Sequence, residues 1–199
     1  MSNSQAGGTA AATSVAGPGA GPEIEMITLG GGCFWCLEAV YLDVRGVTRV
    51  TPGYAGGHVV APTYEAVCTG ETGHAEIVQV AFDRTQITLE QVLAIFFTIH
   101  DPTTLNRQGH DVGTQYRSAI FFHRPDQAEA ARRIIASLTE QQVFREPIVT
   151  EVVPLSNHSD AEAYHHRYFE NHPSQGYCAM VVAPKLSKFR KVHAELRRK

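Results

Sequence analysis

The chain has 199 residues, 43% of them hydrophobic, which suffices for one domain with a sizeable core. Seventeen Lys and Arg against 20 Asp and Glu leave a formal net charge of −3, so nothing in the charge calls for nucleic acid or a membrane surface as partner. No apolar run approaches the roughly 20 residues of a membrane helix.

Met1 to Pro22 is almost entirely Ala, Gly, Ser, Thr and Pro. Such a segment buries too little apolar surface to offset its ordering entropy, and is expected to be a disordered tail ahead of a catalytic domain at 23–199. It has neither the basic start nor the apolar stretch of a secretory signal, and the first basic residue is Arg45; a cytoplasmic protein is expected. Glu25 to Leu29 reads as a strand ending in Gly30-Gly31-Gly32. Phe34, Leu37, Val40 and Tyr41 have helical spacing and predict a helix from Cys33 to Tyr41. Thr51 to Thr63, rich in Gly, Pro and Tyr, reads as a loop. Ala75 to Phe82 alternates as a strand, with Glu76, Val78, Val80 and Phe82 on one mostly apolar face.

Thr88 with Gln91 makes a capping box, and Ile87 with Val92 a hydrophobic staple, opening a helix through Ile99. A loop from Asp101 to Gln115, a strand Ser118 to His123, a helix from Pro125 to about Leu138 and a strand Ile148 to Pro154 follow. Ser159 with Glu162 reads as a second capping box for a helix to about Phe169. His172 to Pro184 is loop-like, and a basic helix closes the chain. Strands and helices interleave without regular βαβ spacing, which predicts an α+β fold.

Four cysteines, Cys33, Cys36, Cys68 and Cys178, are expected to be reduced in a chain of this kind, so catalysis, metal binding or burial must explain them. The run Gly-Gly-Gly-Cys-Phe-Trp-Cys-Leu-Glu is the most informative. Glycines between strand and helix allow a sharp turn, and Cys33 at the helix start should feel the positive end of the macrodipole, which lowers its pKa. A dinucleotide or P-loop reading fails, because Trp35 stands where glycine is needed and no Gly-Lys-Ser/Thr follows. Cys33 and Cys36 have zinc-like spacing, but no second pair supports it: Cys68 and Cys178 are solitary, and His165 and His166 are adjacent. No metal is expected. Cys68 is read as a buried strand-edge residue.

Gly32-Cys33-Phe34-Trp35 resembles the active-site motif of the peptide methionine sulfoxide reductase A family. Gly53-Tyr54-Ala55-Gly56-Gly57, Pro62-Thr63-Tyr64, the run from Val67 to Glu76, His100-Asp101-Pro102, the run from Arg107 to Ile120, and Gly176-Tyr177-Cys178 resemble further signatures of that family. The likeness spans about Ile27 to Lys191.

The resemblance implies a two-layer sandwich with a mixed, ferredoxin-like sheet core covered by helices. It implies reduction of the S epimer of methionine sulfoxide, free or in oxidised proteins, by a monomer that uses no cofactor and takes electrons from thioredoxin or, in vitro, dithiothreitol. Such a reaction needs a thiolate at sulfur, Cys33, and an acid at oxygen. Glu76 fits the acid, because burial on an apolar face raises a carboxyl pKa. By resemblance Tyr64, Tyr116 and Asp111 surround the sulfoxide oxygen, Phe34 and Trp35 hold the S-methyl group, and Cys178 resolves the Cys33 sulfenic acid as a disulfide. Cys36 stands where many members carry Gly, and a further C-terminal Cys of many members is absent. Cys36 is therefore a rival resolving thiol. Two other readings stay open: a thioredoxin-like thiol–disulfide oxidoreductase using Cys33 and Cys36, and a zinc-stabilised binding module.

Overall fold

The computed structural model describes residues 21–199. The expected tail, Met1 to Pro22, lies almost wholly outside them. Four strands, β1 (Ile24–Gly31), β2 (Val47–Ala55), β3 (Ala75–Asp83) and β6 (Ser118–Phe122), form an antiparallel sheet in the order β6-β1-β3-β2. Helix α1 (Phe34–Leu42) connects β1 to β2, and α3 (Leu89–Ile99) lies between β3 and β6. This is the βαββαβ ferredoxin-like pattern. β7 (Glu151–Pro154) adds in parallel beside β6, and β8 (Ser159–Asp160) in antiparallel beside β2, making a mixed six-stranded sheet. α2 (Tyr64–Cys68) precedes β3, and a small hairpin of β4 (Arg107–Gln108) and β5 (Asp111–Val112) precedes β6.

The main core fills the face of the sheet that carries Val78, Val80 and Phe82, packed against α1, α3, α4 (Pro125–Glu140) and α6 (Ala183–Val192). The opposite face buries only a small cluster around Ile77, Ala119 and Phe121. The alternation in β3 therefore sorts its residues as the sequence predicts. α1 is buried nearly all round, as a helix at the centre of a domain must be. The Tyr41 hydroxyl donates to the Val92 carbonyl (2.9 Å), fastening α1 to α3. The Thr88–Gln91 capping box forms, with Ile87 and Val92 both buried. Among the described residues no helix is long and apolar enough to cross a membrane.

Three local expectations are corrected. The predicted loop from Thr51 to Thr63 begins only after Ala55, because β2 runs through Pro52 and Gly53. Pro52 is tolerated because β8 pairs only with Gly53 and Tyr54, leaving its nitrogen on an unpaired edge. The Ser159–Glu162 capping box does not form. Ser159 is in β8, and only a 3₁₀ turn, Ala163–His165, and the short α5 (Tyr168–Asn171) follow. Lastly, the loop-like stretch from His172 to Pro184 is helical from Gly176 on: a π-helical turn, Cys178–Val182, runs into α6, which holds Pro184 near its start.

Candidate active site

Gly32 turns the chain between β1 and α1 with φ +89°, and a Cβ there would sit 2.7 Å from Cγ of Gln108. Only glycine meets both conditions. Cys33 follows as the N-cap of α1, 7% exposed, with dihedrals outside the helical region (φ −56°, ψ 125°) and no capping bond from its side chain. The expected lowering of its pKa is overturned. Burial pushes the Cys33 thiol well up, and a hydrogen bond with Cys36 and the charge of Glu76 add to this. The helix terminus does not outweigh the desolvation of a nearly enclosed sulfur. Cys36, fully buried, is shifted down instead, chiefly by that hydrogen bond from Cys33.

Glu76 is 1% exposed and stands opposite Tyr54 in the β2–β3 ladder. One carboxyl oxygen accepts from the Phe34 N–H (3.0 Å), the first open amide of α1. It makes no ion pair among the described residues. Burial pushes its pKa to about 8, against the pull of the Phe34 amide. The carboxyl is therefore mostly protonated at neutral pH, held beside the thiol by the backbone that carries the thiol.

Tyr64 opens α2, and Tyr116 ends a 3₁₀ turn, Thr114–Tyr116; both are half-buried. Burial raises both phenols, so their hydroxyls stay protonated at neutral pH and can donate hydrogen bonds. Asp111 opens β5 and accepts from the Tyr177 hydroxyl (2.6 Å). Beyond that bond a groove of about 1070 Å³ continues past Asp111 and Tyr177. Phe34 is fully buried, with its ring centroid 4.9 Å from His165 and 6.3 Å from Tyr64. Trp35 is half-buried, stacks on Tyr168 at 3.8 Å, and donates from Nε1 to His165 Nδ1 (3.1 Å). The sequence-predicted Cys33, Phe34, Trp35, Tyr64, Glu76, Asp111 and Tyr116 thus converge.

Cys178 is buried in the π-helical turn, where the charge of Cys36 acts on it. Cys68 is exposed and ends α2, a correction to its buried strand-edge reading. Burial pushes its thiol up, opposed by the Tyr64 side chain. His74 bonds the Val59 carbonyl (2.7 Å).

Sequence reasoning missed three contributors. Glu162, read as a helix cap, accepts from the Tyr54 hydroxyl and the Tyr64 N–H, both at 2.8 Å. His165, fully buried, joins Trp35 on one side and faces Glu162 (3.8 Å) on the other. Tyr177 closes the site over Asp111. Only the Gly176-Tyr177-Cys178 signature held a signal, for Tyr177. Among the described residues no group of three or more His, Cys, Asp or Glu side chains gathers as a metal site.

A buried thiol at a helix start, a neutral carboxyl on the adjacent amide, tyrosine hydroxyls and an aromatic wall are the groups that thiol-based redox chemistry on an α+β scaffold would use. Residues 25–197 match the peptide methionine sulfoxide reductase family. The peptide methionine sulfoxide reductase MsrA of Polynucleobacter asymbioticus is 54% identical over 85% of this chain and 89% of its own length. The structure of methionine sulfoxide reductase A of Corynebacterium diphtheriae aligns with TM-score 0.74 and 38% identity over 80% of each chain. Reduced Mxr1 of Saccharomyces cerevisiae aligns with TM-score 0.73 and 36% identity over 78% of this chain and 89% of its own. Mxr1 is also solved in complex with Trx2, aligning with TM-score 0.52 and 26% identity over 73% and 84%. The chain belongs to the peptide methionine sulfoxide reductase family.

Proposed function

We propose that this chain reduces the S epimer of methionine sulfoxide, free and in oxidised proteins, to methionine. The observation that carries the reading is the buried Glu76 carboxyl, pushed to about 8, held by the Phe34 amide next to Cys33. Oxide is a poor leaving group, so attack on the sulfoxide sulfur needs a proton delivered to oxygen. Glu76 is the acid, Tyr64 and Tyr116 donate hydrogen bonds to the oxygen, Asp111 steadies the polar side, and Phe34 and Trp35 hold the S-methyl group. The oxygen passes to Cys33, which becomes a sulfenic acid as the sulfoxide is reduced by two electrons. A second thiol condenses with it, forming a disulfide and releasing water. A reduced thioredoxin then takes up the oxidising equivalents as its own disulfide, in keeping with the solved Mxr1–Trx2 complex. Neither metal nor organic cofactor takes part, and the protein acts as a cytoplasmic monomer.

The side-chain interaction between Cys33 and Cys36 supports Cys36 as the first partner, against the sequence-based expectation of Cys178. A pair three apart inside a helix holds its Cβ atoms roughly 5–6 Å apart, too far for the 3.5–4.5 Å of a disulfide. Cys33 lies outside the helix by its dihedrals, so that constraint does not bind. Cys178, beside Cys36, then receives the disulfide by exchange.

The deciding test is turnover on separated R and S epimers of methionine sulfoxide with dithiothreitol. Turnover of the S epimer alone is expected. Insulin disulfide reduction without sulfoxide turnover would establish the thiol–disulfide oxidoreductase instead, and about one zinc per purified chain would establish the zinc module.

A further inference from the structure

Glu38 lies one turn beyond Trp35 in α1, a carboxylate only 2% exposed. Burial pushes its pKa up, opposed by backbone hydrogen bonds from Arg167 and Tyr168. The Arg167 N–H donates to Glu38 Oε1 at 2.8 Å. Arg167 itself is held in the left-handed region (φ 54°, ψ 34°) as the N-cap of α5, although it is not glycine. That conformation is strained for a residue with a Cβ and persists only where the surroundings impose it. The side chain of Arg167 turns outward, to Glu170 (2.7 Å). What holds its backbone from within is Glu38. The next residue, Tyr168, lies flat on Trp35, with centroids 3.8 Å apart and planes 5° apart.

We propose that Glu38 is a positioning residue for the substrate pocket: its buried carboxylate holds the left-handed turn at Arg167 and so lays Tyr168 against Trp35. A charged group in this place is otherwise hard to explain, because a buried carboxylate is costly unless its hydrogen bonds do something an apolar side chain would not. Here it satisfies the open amides of a four-residue helix too short to order itself. Trp35 is clasped on both sides: His165 orients its edge through Nε1, and the turn held by Glu38 presses Tyr168 on its face. The role assigned to Trp35, seating the S-methyl group, rests on the proposed reductase activity. The packing claim does not.

Trp35 is the only tryptophan, so intrinsic fluorescence reports its packing directly. Glu38→Ala should increase acrylamide quenching of Trp35 and raise KM for methionine sulfoxide about tenfold, the order expected from losing a charge-assisted hydrogen bond. The single-turnover rate at saturating substrate should stay within about twofold, since Cys33 and Glu76 are not displaced. Glu38→Gln, which keeps one acceptor oxygen, should restore most of both readouts. Tyr168→Leu should raise KM similarly, and Glu38→Ala should add little on top of it, as for two residues acting in series. If the alanine variant does not fold, Glu38→Asp tests the same point by withdrawing the carboxylate by one methylene. Wild-type quenching in the folded Ala or Asp variant overturns the proposal, as does a lowered melting temperature with unchanged KM. A wild-type protein inert towards sulfoxide would instead sink the reductase reading, and Trp35 quenching would still decide the packing claim.

Discussion

The two sides of the site are built by different means. Cys33 and Glu76 stand on β1, α1 and β3, at the centre of the sheet, joined by one hydrogen bond from the Phe34 amide. The facing wall, Glu162, His165, Tyr168 and Tyr177, comes from a 3₁₀ turn, a four-residue helix and the residue before a π-helical turn. The first side is held by ladder hydrogen bonds and a continuous apolar core, the second by side chains reaching from elsewhere: Glu38 to Arg167, Glu162 to Tyr54 and Tyr64, Asp111 to Tyr177. Groups that must meet to a fraction of an ångström sit on the rigid side, and groups that receive and release substrate sit on the side with fewer backbone constraints.

Changes on the rigid side should abolish chemistry. Cys33→Ser should remove all sulfoxide reduction with any reductant, and measurable turnover would exclude Cys33 as nucleophile. Glu76→Gln should lower the single-turnover rate by roughly 10²- to 10⁴-fold, the usual size of a general-acid effect; an unchanged rate of Cys33 oxidation removes Glu76 from the mechanism.

The same substitution should act oppositely on stability. Folding raises the Glu76 carboxyl from its ordinary value to about 8, so the folded state keeps a proton that the unfolded chain loses. The associated stability is fully present below the unfolded carboxyl value and is lost as pH rises through about 8. Glu76→Gln should therefore melt above the wild type at about pH 9 by calorimetry, with the difference shrinking towards acid.

The thiols come next in size. Cys178→Ser should complete one turnover and form a Cys33–Cys36 linkage, visible by mass spectrometry of unreduced peptides, yet stall with thioredoxin. A Cys33–Cys178 linkage as the first disulfide formed in the wild type would reverse the order of the relay and bear out the sequence-based expectation. The smallest effects belong to the outer wall. Glu162→Ala should raise KM by several-fold, the cost of about one hydrogen bond, with little change in single-turnover rate; a hundredfold loss of rate would show that both sides act as one unit.

The sequence by itself placed the elements whose local signal meets no distant competitor. The apolar periods of α1 and β3, the Thr88–Gln91 box and Pro125 at the start of α4 are determined by neighbours within a few residues, and each forms as predicted. The glycine corner and the apolar face that buries Glu76 were likewise legible, because strand alternation and glycine's freedom are properties of the chain itself. What the tertiary structure decided are the competitions between local and distant partners. Ser159 and Glu162 have the spacing of a capping box, yet the Glu162 carboxylate goes to Tyr54 and Tyr64. Cys33 has the setting of an acidified thiol, yet enclosure by the core raises it and passes the lower pKa to Cys36. Glu38 carries no local sign of its partner, which is the Arg167 amide of a distant turn packed over it. In each case a local signal fixes which groups are available, while burial, which no short window of sequence encodes, selects the partner by making the unsatisfied alternative too costly.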